Sequence, residues 1–162
     1  MKTLFLVRHA KSSRDDPALP DRERPLNARG RRDAPRMGER LAKNGVKPDL
    51  VVSSPAVRAL TTAELIAREL GYDLREIVVD KRLYSASADD LLAVIHELGG
   101  KPKHVMLVGH NPEFAELAHS LSSDIAEMPT CAAAEFTLDI ESWSDVGSQP
   151  PAKAKLYTPK ES

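Results

Sequence analysis

The stretch Leu4-Phe5-Leu6-Val7-Arg8-His9-Ala10 joins an unbroken apolar run to an arginine and a histidine. Four consecutive apolar residues predict a strand that is buried on both faces, as in a parallel sheet. The run Val105-Met106-Leu107-Val108 repeats this arrangement, because Gly109-His110-Asn111-Pro112 follows it directly. Ligands of open α/β sheets bind beyond the carboxyl ends of the strands. Both histidines are therefore predicted at a ligand-binding edge.

A third apolar run supplies a second arginine. Leu50-Val51-Val52-Ser53 is followed by Ser54-Pro55, and Arg58 comes in the first turn of the helix predicted there. Parallel strands with right-handed crossovers bring their carboxyl ends to one edge of the sheet. Two histidines and two arginines are thus predicted at three strand-to-helix junctions, which is the geometry of a phosphate site.

Composition limits the class of protein. The chain has 162 residues, of which 29% are charged, and a formal net charge of -1, which is ordinary for one globular domain over residues 1–162. There is no basic excess that points to nucleic acid, and no run approaches the roughly 20 apolar residues that span a membrane. Arg8 makes the N-terminal apolar stretch too short for a signal peptide. The single cysteine, Cys131, suits a reducing, cytoplasmic location.

Strands alternate with helices along the chain, which predicts an α/β fold. We expect a three-layer α/β/α sandwich whose sheet is mostly parallel, with an antiparallel edge strand. The antiparallel edge strand is predicted where apolar and polar residues alternate, from Ala134 to Ile140. The other predicted strands are Thr3–Val7, Leu50–Ser53, Glu76–Val79, Val105–Val108 and a short last one at Lys155-Leu156-Tyr157.

Capping residues place four helices between these strands. The first helix runs to about Lys43 with Pro35 inside it, where a kink or a late start of the regular part is expected. The second ends at Gly71. The predicted helix starts are Asn27, Ser54 with Pro55 at the first helical position, Ser87 with Asp90 in capping-box spacing, and Asn111-Pro112.

Phosphoryl transfer through a histidine fits these residues. A neutral imidazole can attack phosphorus, and its ordinary pKa of about 6.5 makes the neutral form abundant near neutrality. Arg8 and Arg58 can meet the charge of the phosphoryl oxygens with paired hydrogen bonds, and the helix N-termini after Ser54 and His110 add backbone NH groups. His110 in its protonated form is a further expected donor. No metal ion and no cofactor is then required.

The ordered set of motifs resembles the histidine phosphatase superfamily, also called the phosphoglycerate mutase-like family. Two further features of the chain resemble the compact SixA-type phosphohistidine phosphatase branch. They are its short length and the stretch Arg24-Pro25-Leu26-Asn27, which Gly30 follows. The resemblance implies the three-layer fold, His9 as the phosphorylated nucleophile, and a phosphate pocket that Arg8, Arg58, His110 and Asn111 complete. The motifs cover nearly the whole chain in order: Arg8-His9-Ala10, then Ser53-Ser54-Pro55 with Arg58, Ala59 and Thr61, then Gly109-His110-Asn111-Pro112.

The chain departs from the larger members, including the mutases, at the general acid. Those members resemble one another in a Leu-x-Glu whose glutamate is the acid, whereas this chain has Leu83-Tyr84-Ser85 there. Asp21, in the loop after the nucleophile, is our substitute acid, although a carboxylate in so charged a loop is more often simply solvated. The lid-like insertion of the mutases is also missing. Both absences disfavour sugar phosphates, because an alkoxide leaving group needs a proton in the transition state.

Three functions stay open on these residues. The first is a metal-independent phosphatase that forms phospho-His9, with a phosphohistidine protein or a small phosphate ester as substrate. The second is a non-catalytic module that recognises phosphate, and the third is a small-molecule phosphomonoesterase or mutase-like enzyme. We favour the first, because a binding module has no need for a nucleophile beside two arginines. Neither nucleic acid nor a membrane is an expected partner.

Overall fold

The computed structural model describes residues 1–159. Six strands, numbered β1 to β6 in chain order, form one sheet: Lys2–Arg8, Leu50–Ser53, Val78–Val79, His104–Gly109, Ala133–Leu138 and Lys153–Tyr157. Their order across the sheet is β3-β2-β4-β1-β5-β6. Strands β1 to β4 are parallel to one another, and β5 pairs antiparallel with both β1 and β6. The predicted α/β fold with a mostly parallel sheet is confirmed.

Four helices cover the two faces of this sheet and complete the three layers. They are α1, Ala28–Lys43; α2, Val57–Glu69; α3, Ala88–His96; and α4, Glu113–Leu121. Successive side chains of a strand point to opposite faces, so Leu4 and Leu6 of β1 pack in the core beneath α3 and α4. Phe5 and Val7 pack in the second core, beneath α1 and α2. No helix within residues 1–159 is long and apolar enough to cross a membrane.

The prediction that the alternating strand lies at the sheet edge is wrong in position. Strand β5 is antiparallel, as predicted, but it lies between β1 and β6, so β6 forms the edge. The alternation of Phe136 and Leu138 with the half-buried Glu135 and Thr137 is present. Alternation reports which face of a strand is covered, whereas an edge is defined by hydrogen bonding on one side only, and the pattern does not contain that information.

Helix and strand starts also differ from the predictions in three places. Helix α2 begins at Val57, because the Ser54 hydroxyl accepts from the NH of Ala56 at 3.2 Å and closes a turn before the helix. Helix α4 begins at Glu113, after a cis peptide bond between Asn111 and Pro112. Strand β3 is only two residues long, since Leu74–Glu76 form a 3-10 turn. The caps at Asn27 and Ser87 are confirmed, and α1 runs through Pro35 without interruption.

Candidate active site

The register of the three central parallel strands brings the predicted site residues together. Arg8 lies opposite Gly109, and Ser53 lies opposite Val108, so His9, Ser54 and His110 each follow a strand end at the same edge. The NH of His9 donates to the carbonyl of Gly109 at 3.0 Å, and the rings of His9 and His110 are 5.2 Å apart between centroids. A cavity of about 740 Å³ opens there, lined by Arg8, His9, Arg58 and His110 among others.

The imidazole of His9 is held in one tautomer. Its Nδ1 lies 2.7 Å from the carbonyl oxygen of Ala10, and because a carbonyl can only accept, Nδ1 carries the proton. Nε2 therefore keeps its lone pair. The Ala10 peptide is itself fixed, since its NH donates at 3.0 Å to the hydroxyl of Thr62, which donates at 2.7 Å to the carbonyl of Arg58. Sequence reasoning did not single out Thr62, and its complete burial next to Arg58 becomes visible only in the fold.

Burial keeps both imidazoles neutral. Burial, together with the positive charges of Arg58, Arg8 and Arg24, lowers the pKa of His9 to about 4, although the hydrogen bond to the Ala10 carbonyl acts in the opposite direction. Burial likewise lowers the pKa of His110 to about 3, with His9 and Arg58 adding to the effect. A neutral His9 is the form that can attack phosphorus. The expectation of a protonated His110 is not met in this arrangement, because burial and three positive or potentially positive neighbours, His9, Arg58 and Arg8, disfavour a charge on the ring.

His110 nevertheless keeps a defined orientation. Its Nε2 is 2.8 Å from the hydroxyl of Ser54, a buried pair. When the hydroxyl donates to Nε2, the proton of the neutral ring lies on Nδ1 and can be offered to an anion. The predicted role of His110 as a hydrogen-bond donor thus does not need a charged ring.

Arg8 and Arg58 each have one buried donor without a partner among residues 1–159. The Nε–H groups of Arg8 and Arg58 are buried and donate to no acceptor within residues 1–159. Elsewhere Arg8 donates through NH1 to the carbonyl of Met128 at 3.1 Å. A buried unpaired donor costs about 1–3 kcal/mol, and more for a charged group. Orphaned guanidinium donors on both sides of the cavity are therefore the feature expected where an anion binds.

Asp21 is placed beside Arg58, but in an ionised form. Its carboxylate accepts from the Tyr84 hydroxyl at 2.7 Å, from Arg58 at 2.9 Å and from Arg24 at 3.1 Å. The Tyr84 hydrogen bond, together with the two arginines, holds the pKa of Asp21 well below its ordinary value. The carboxylate therefore carries no proton to donate, and the predicted acid role would require it to leave these three partners. In this arrangement Asp21 is a counter-ion of Arg58.

Asn111 lines the cavity but uses its side chain elsewhere. Its amide nitrogen donates to the carbonyl of Met128 at 2.8 Å, and its amide oxygen accepts from the NH of Ala115 at 3.2 Å. The phosphate contact of Asn111 stays a prediction, because these two hydrogen bonds leave one N–H of the side-chain amide for an anion. The hydrogen bonds of Asn111 connect the start of α4 with Met128, whose carbonyl also accepts from Arg8. Within residues 1–159, no group of three or more His, Cys, Asp or Glu is arranged to hold a metal ion.

Comparison with known proteins agrees with this geometry. The family model described as Histidine phosphatase superfamily (branch 1) matches residues 4–112. An uncharacterised chloroplastic protein of Arabidopsis thaliana is 31% identical over 152 residues, which cover 89% of this chain and 70% of that protein.

Solved structures show the same fold. The SixA protein of Agrobacterium tumefaciens, provisionally assigned as a phosphohistidine phosphatase, superposes with a TM-score of 0.78 at 29% identity, over 85% of this chain and 92% of that one. The protein histidine phosphatase SixA in complex with tungstate gives a TM-score of 0.77 at 24% identity, over 96% and 94% of the two chains.

The lowered histidine pKa values predict a loss of stability in weak acid. Both folded-state pKa values lie below the ordinary 6.5, so the unfolded chain binds more protons, and stability falls as the pH drops from 6.5 towards 4. We expect each ring to lower the free energy of unfolding by about 1–2 kcal/mol between pH 7 and pH 5. Urea unfolding at pH 7 and pH 5 measures this, and His9→Asn and His110→Asn should each show a smaller difference between the two values. An unchanged difference in both variants would contradict the assignment.

The contact between Asp21 and Arg58 predicts competition with a bound anion. Asp21→Asn removes a negative charge that lies 2.9 Å from the Arg58 guanidinium, so the inhibition constant of orthovanadate should fall by about 3-fold to 10-fold. Asp15→Asn is the matched control, because Asp15 is an exposed cavity residue of the same loop. Weaker vanadate inhibition in Asp21→Asn would show instead that the carboxylate holds Arg58 in its binding position.

Proposed function

Because this chain belongs to the histidine phosphatase superfamily (branch 1), we propose that it is a metal-independent phosphatase that works through a phosphohistidine on His9. One observation carries the proposal. The Nδ1 proton of His9 is tied to the Ala10 carbonyl at 2.7 Å, so the unprotonated Nε2 is the atom left for attack, in a cavity that Arg8 and Arg58 also line. A nucleophile of fixed tautomer between two guanidinium groups is the arrangement that phosphoryl transfer needs.

The reaction proceeds in two displacements. In the first, the phosphoryl oxygens of the substrate take up the donors of Arg8, Arg58 and His110, Nε2 of His9 bonds to phosphorus, and the bond from phosphorus to the leaving group breaks. In the second, a water oxygen bonds to phosphorus, the bond to Nε2 breaks, and inorganic phosphate leaves. The arginines lower both barriers because they face charge that is spread over the equatorial oxygens. The hydrogen bond to Ala10 keeps the ring in the same orientation through both steps.

A phosphohistidine protein is the substrate class that we propose. The likeness to SixA proteins supports it, as does the cation-rich entrance of the cavity, where Lys11 and Arg14 stand beside the pocket arginines. Positive charge there attracts phosphorylated partners. The phosphorylated proteins would be met in a reducing compartment such as the cytoplasm, which suits the buried, unpaired thiol of Cys131.

A small phosphate ester is the second candidate substrate. It is favoured by a buried carboxyl group, Glu113, that lines the same cavity, because alkyl esters need a proton for the leaving oxygen.

Hydrolysis of p-nitrophenyl phosphate in the presence of a chelator tests the proposed function. The wild-type protein should turn over at the same rate with and without the chelator, and His9→Ala should be inactive. Arg58→Ala should lose about 100-fold in kcat/KM, as for other preorganised donors, and Arg58→Lys should recover only part of it, because an ammonium group cannot form paired hydrogen bonds. His104→Ala, which changes an exposed histidine at the start of β4, is the control.

Two outcomes would contradict the proposal. Phosphate binding without any hydrolysis would identify a recognition module instead of an enzyme. Turnover that survives in His9→Ala would mean that another group attacks phosphorus. Among substrates, a higher kcat/KM for a phosphohistidine protein than for sugar phosphates supports the proposed substrate class, and the reverse order supports the small-ester alternative.

A further inference from the structure

A carboxylic acid that the sequence motifs do not single out lies in the catalytic cavity. Glu113 is the first residue of α4, three positions after His110. It lines the same cavity as His9 and Arg58, yet it is only 5% exposed. Glutamate is almost never so buried unless it is paired, and no cation forms a salt bridge with it within residues 1–159. Its carboxyl accepts instead from backbone NH groups, those of Ala86 and of Glu113 itself, and is therefore buried without a counter-charge.

Packing fixes the backbone at the start of α4. The ring of Phe114 lies against Gly109, where an added Cβ would come within 2.5 Å of the ring, and the NH of Phe114 donates to the carbonyl of His110 at 3.0 Å. Phe114 is itself fully buried in the core. The first turn of α4 is thereby anchored directly behind His110, and Glu113 is held in a defined place relative to that ring.

The surroundings of Glu113 favour the protonated carboxyl. Burial raises its pKa above the ordinary value, and the negative charge of Glu116 adds to this, while the backbone NH groups of Ala86 and of Glu113 itself oppose it. Ala86 directly follows Ser85, the position at which the chain lacks the glutamate of larger relatives. The carboxyl of Glu113 therefore reaches, from α4, the part of the cavity where that acid is missing.

Asp21 and Glu113, two of the carboxyls that line the cavity, thus have opposite character. Asp21 is bound by Arg58, Arg24 and Tyr84 and stays ionised. Glu113 has no cationic partner in the part of the chain that the structure describes and is shielded from water. When environments push two carboxyls apart in this way, the one that keeps its proton is the candidate acid. Asp21 then balances charge at Arg58, and Glu113 is the carboxyl whose burial favours the protonated form.

We propose that Glu113 is the general acid that protonates the leaving group as the phosphoryl group moves to His9, and this inference rests on the proposed function above. As Nε2 of His9 bonds to phosphorus, the bond to the leaving oxygen or nitrogen breaks, its electron pair stays on that atom, and the atom takes the proton of the Glu113 carboxyl. In the second displacement the resulting carboxylate accepts a proton from the attacking water. The bond between phosphorus and Nε2 then breaks with its electron pair on Nε2, and Glu113 is protonated again.

Leaving-group dependence tests this role. Values of kcat/KM are measured for p-nitrophenyl phosphate and for alkyl phosphates with wild-type protein, Glu113→Gln and Glu127→Gln. Glu113→Gln should lose about 100-fold on alkyl phosphates, the range of a general acid, and little on p-nitrophenyl phosphate, whose leaving oxygen needs no proton. Glu127→Gln makes the same change at an exposed glutamate outside the cavity and should follow the wild type on both substrates.

The pH profile gives a second readout that does not depend on a variant. Wild-type kcat/KM on an alkyl phosphate should fall as the pH rises through the pKa of Glu113, because the acid loses its proton, and this fall should be weak on p-nitrophenyl phosphate. Parallel losses of Glu113→Gln on both substrate classes, or no loss on either, would overturn the acid role while leaving phospho-His9 intact. Aryl phosphate hydrolysis that does not need His9 would overturn the proposed function and the acid role with it.

Discussion

The pairing of β1 with β4 is the constraint on which the candidate site depends. It sets Arg8 opposite Gly109 and carries the backbone hydrogen bond from His9 to Gly109, 3.0 Å long. Each strand is buried on both faces, so a slip in register would break both cores at once. The two histidines are therefore placed side by side by hydrophobic packing of the strands that precede them, with their ring centroids 5.2 Å apart.

The positive charges at this edge of the sheet favour both the binding of a phosphoryl group and the neutral, nucleophilic form of His9. The arginine charges that would hold a phosphoryl group also disfavour protonation of His9, whose pKa is lowered to about 4. Burial acts in the same direction, because a charged imidazole would lose its hydration. A carboxylate, Asp21, compensates Arg58 at 2.9 Å, so the pocket balances part of its positive charge internally. A substrate phosphate would take over contacts that the protein otherwise supplies to itself.

Much of this arrangement could be predicted from the sequence, because it depends on strand ends. The apolar runs that precede Arg8 and Gly109 predict the central strands, and their ends predict which residues lie at the edge of the sheet. The ionised state of Asp21 could not be predicted. It depends on a hydrogen bond from the hydroxyl of Tyr84, which is distant in sequence and contacts the loop only in the folded chain. Glu113 was missed for the same reason. Its position in a helix start looks ordinary, and only its burial in the cavity distinguishes it.

The most direct test of the account is the site of the phosphorus bond in the trapped intermediate. Protein labelled with 15N in histidine is mixed with substrate, quenched in alkali, in which a phosphoramidate is stable, and analysed by NMR for coupling between phosphorus and nitrogen. Phosphorus is expected on Nε2 of His9, because the proton on Nδ1 is donated to the Ala10 carbonyl. Phosphorus on Nδ1 of His9, or on another residue, would contradict it.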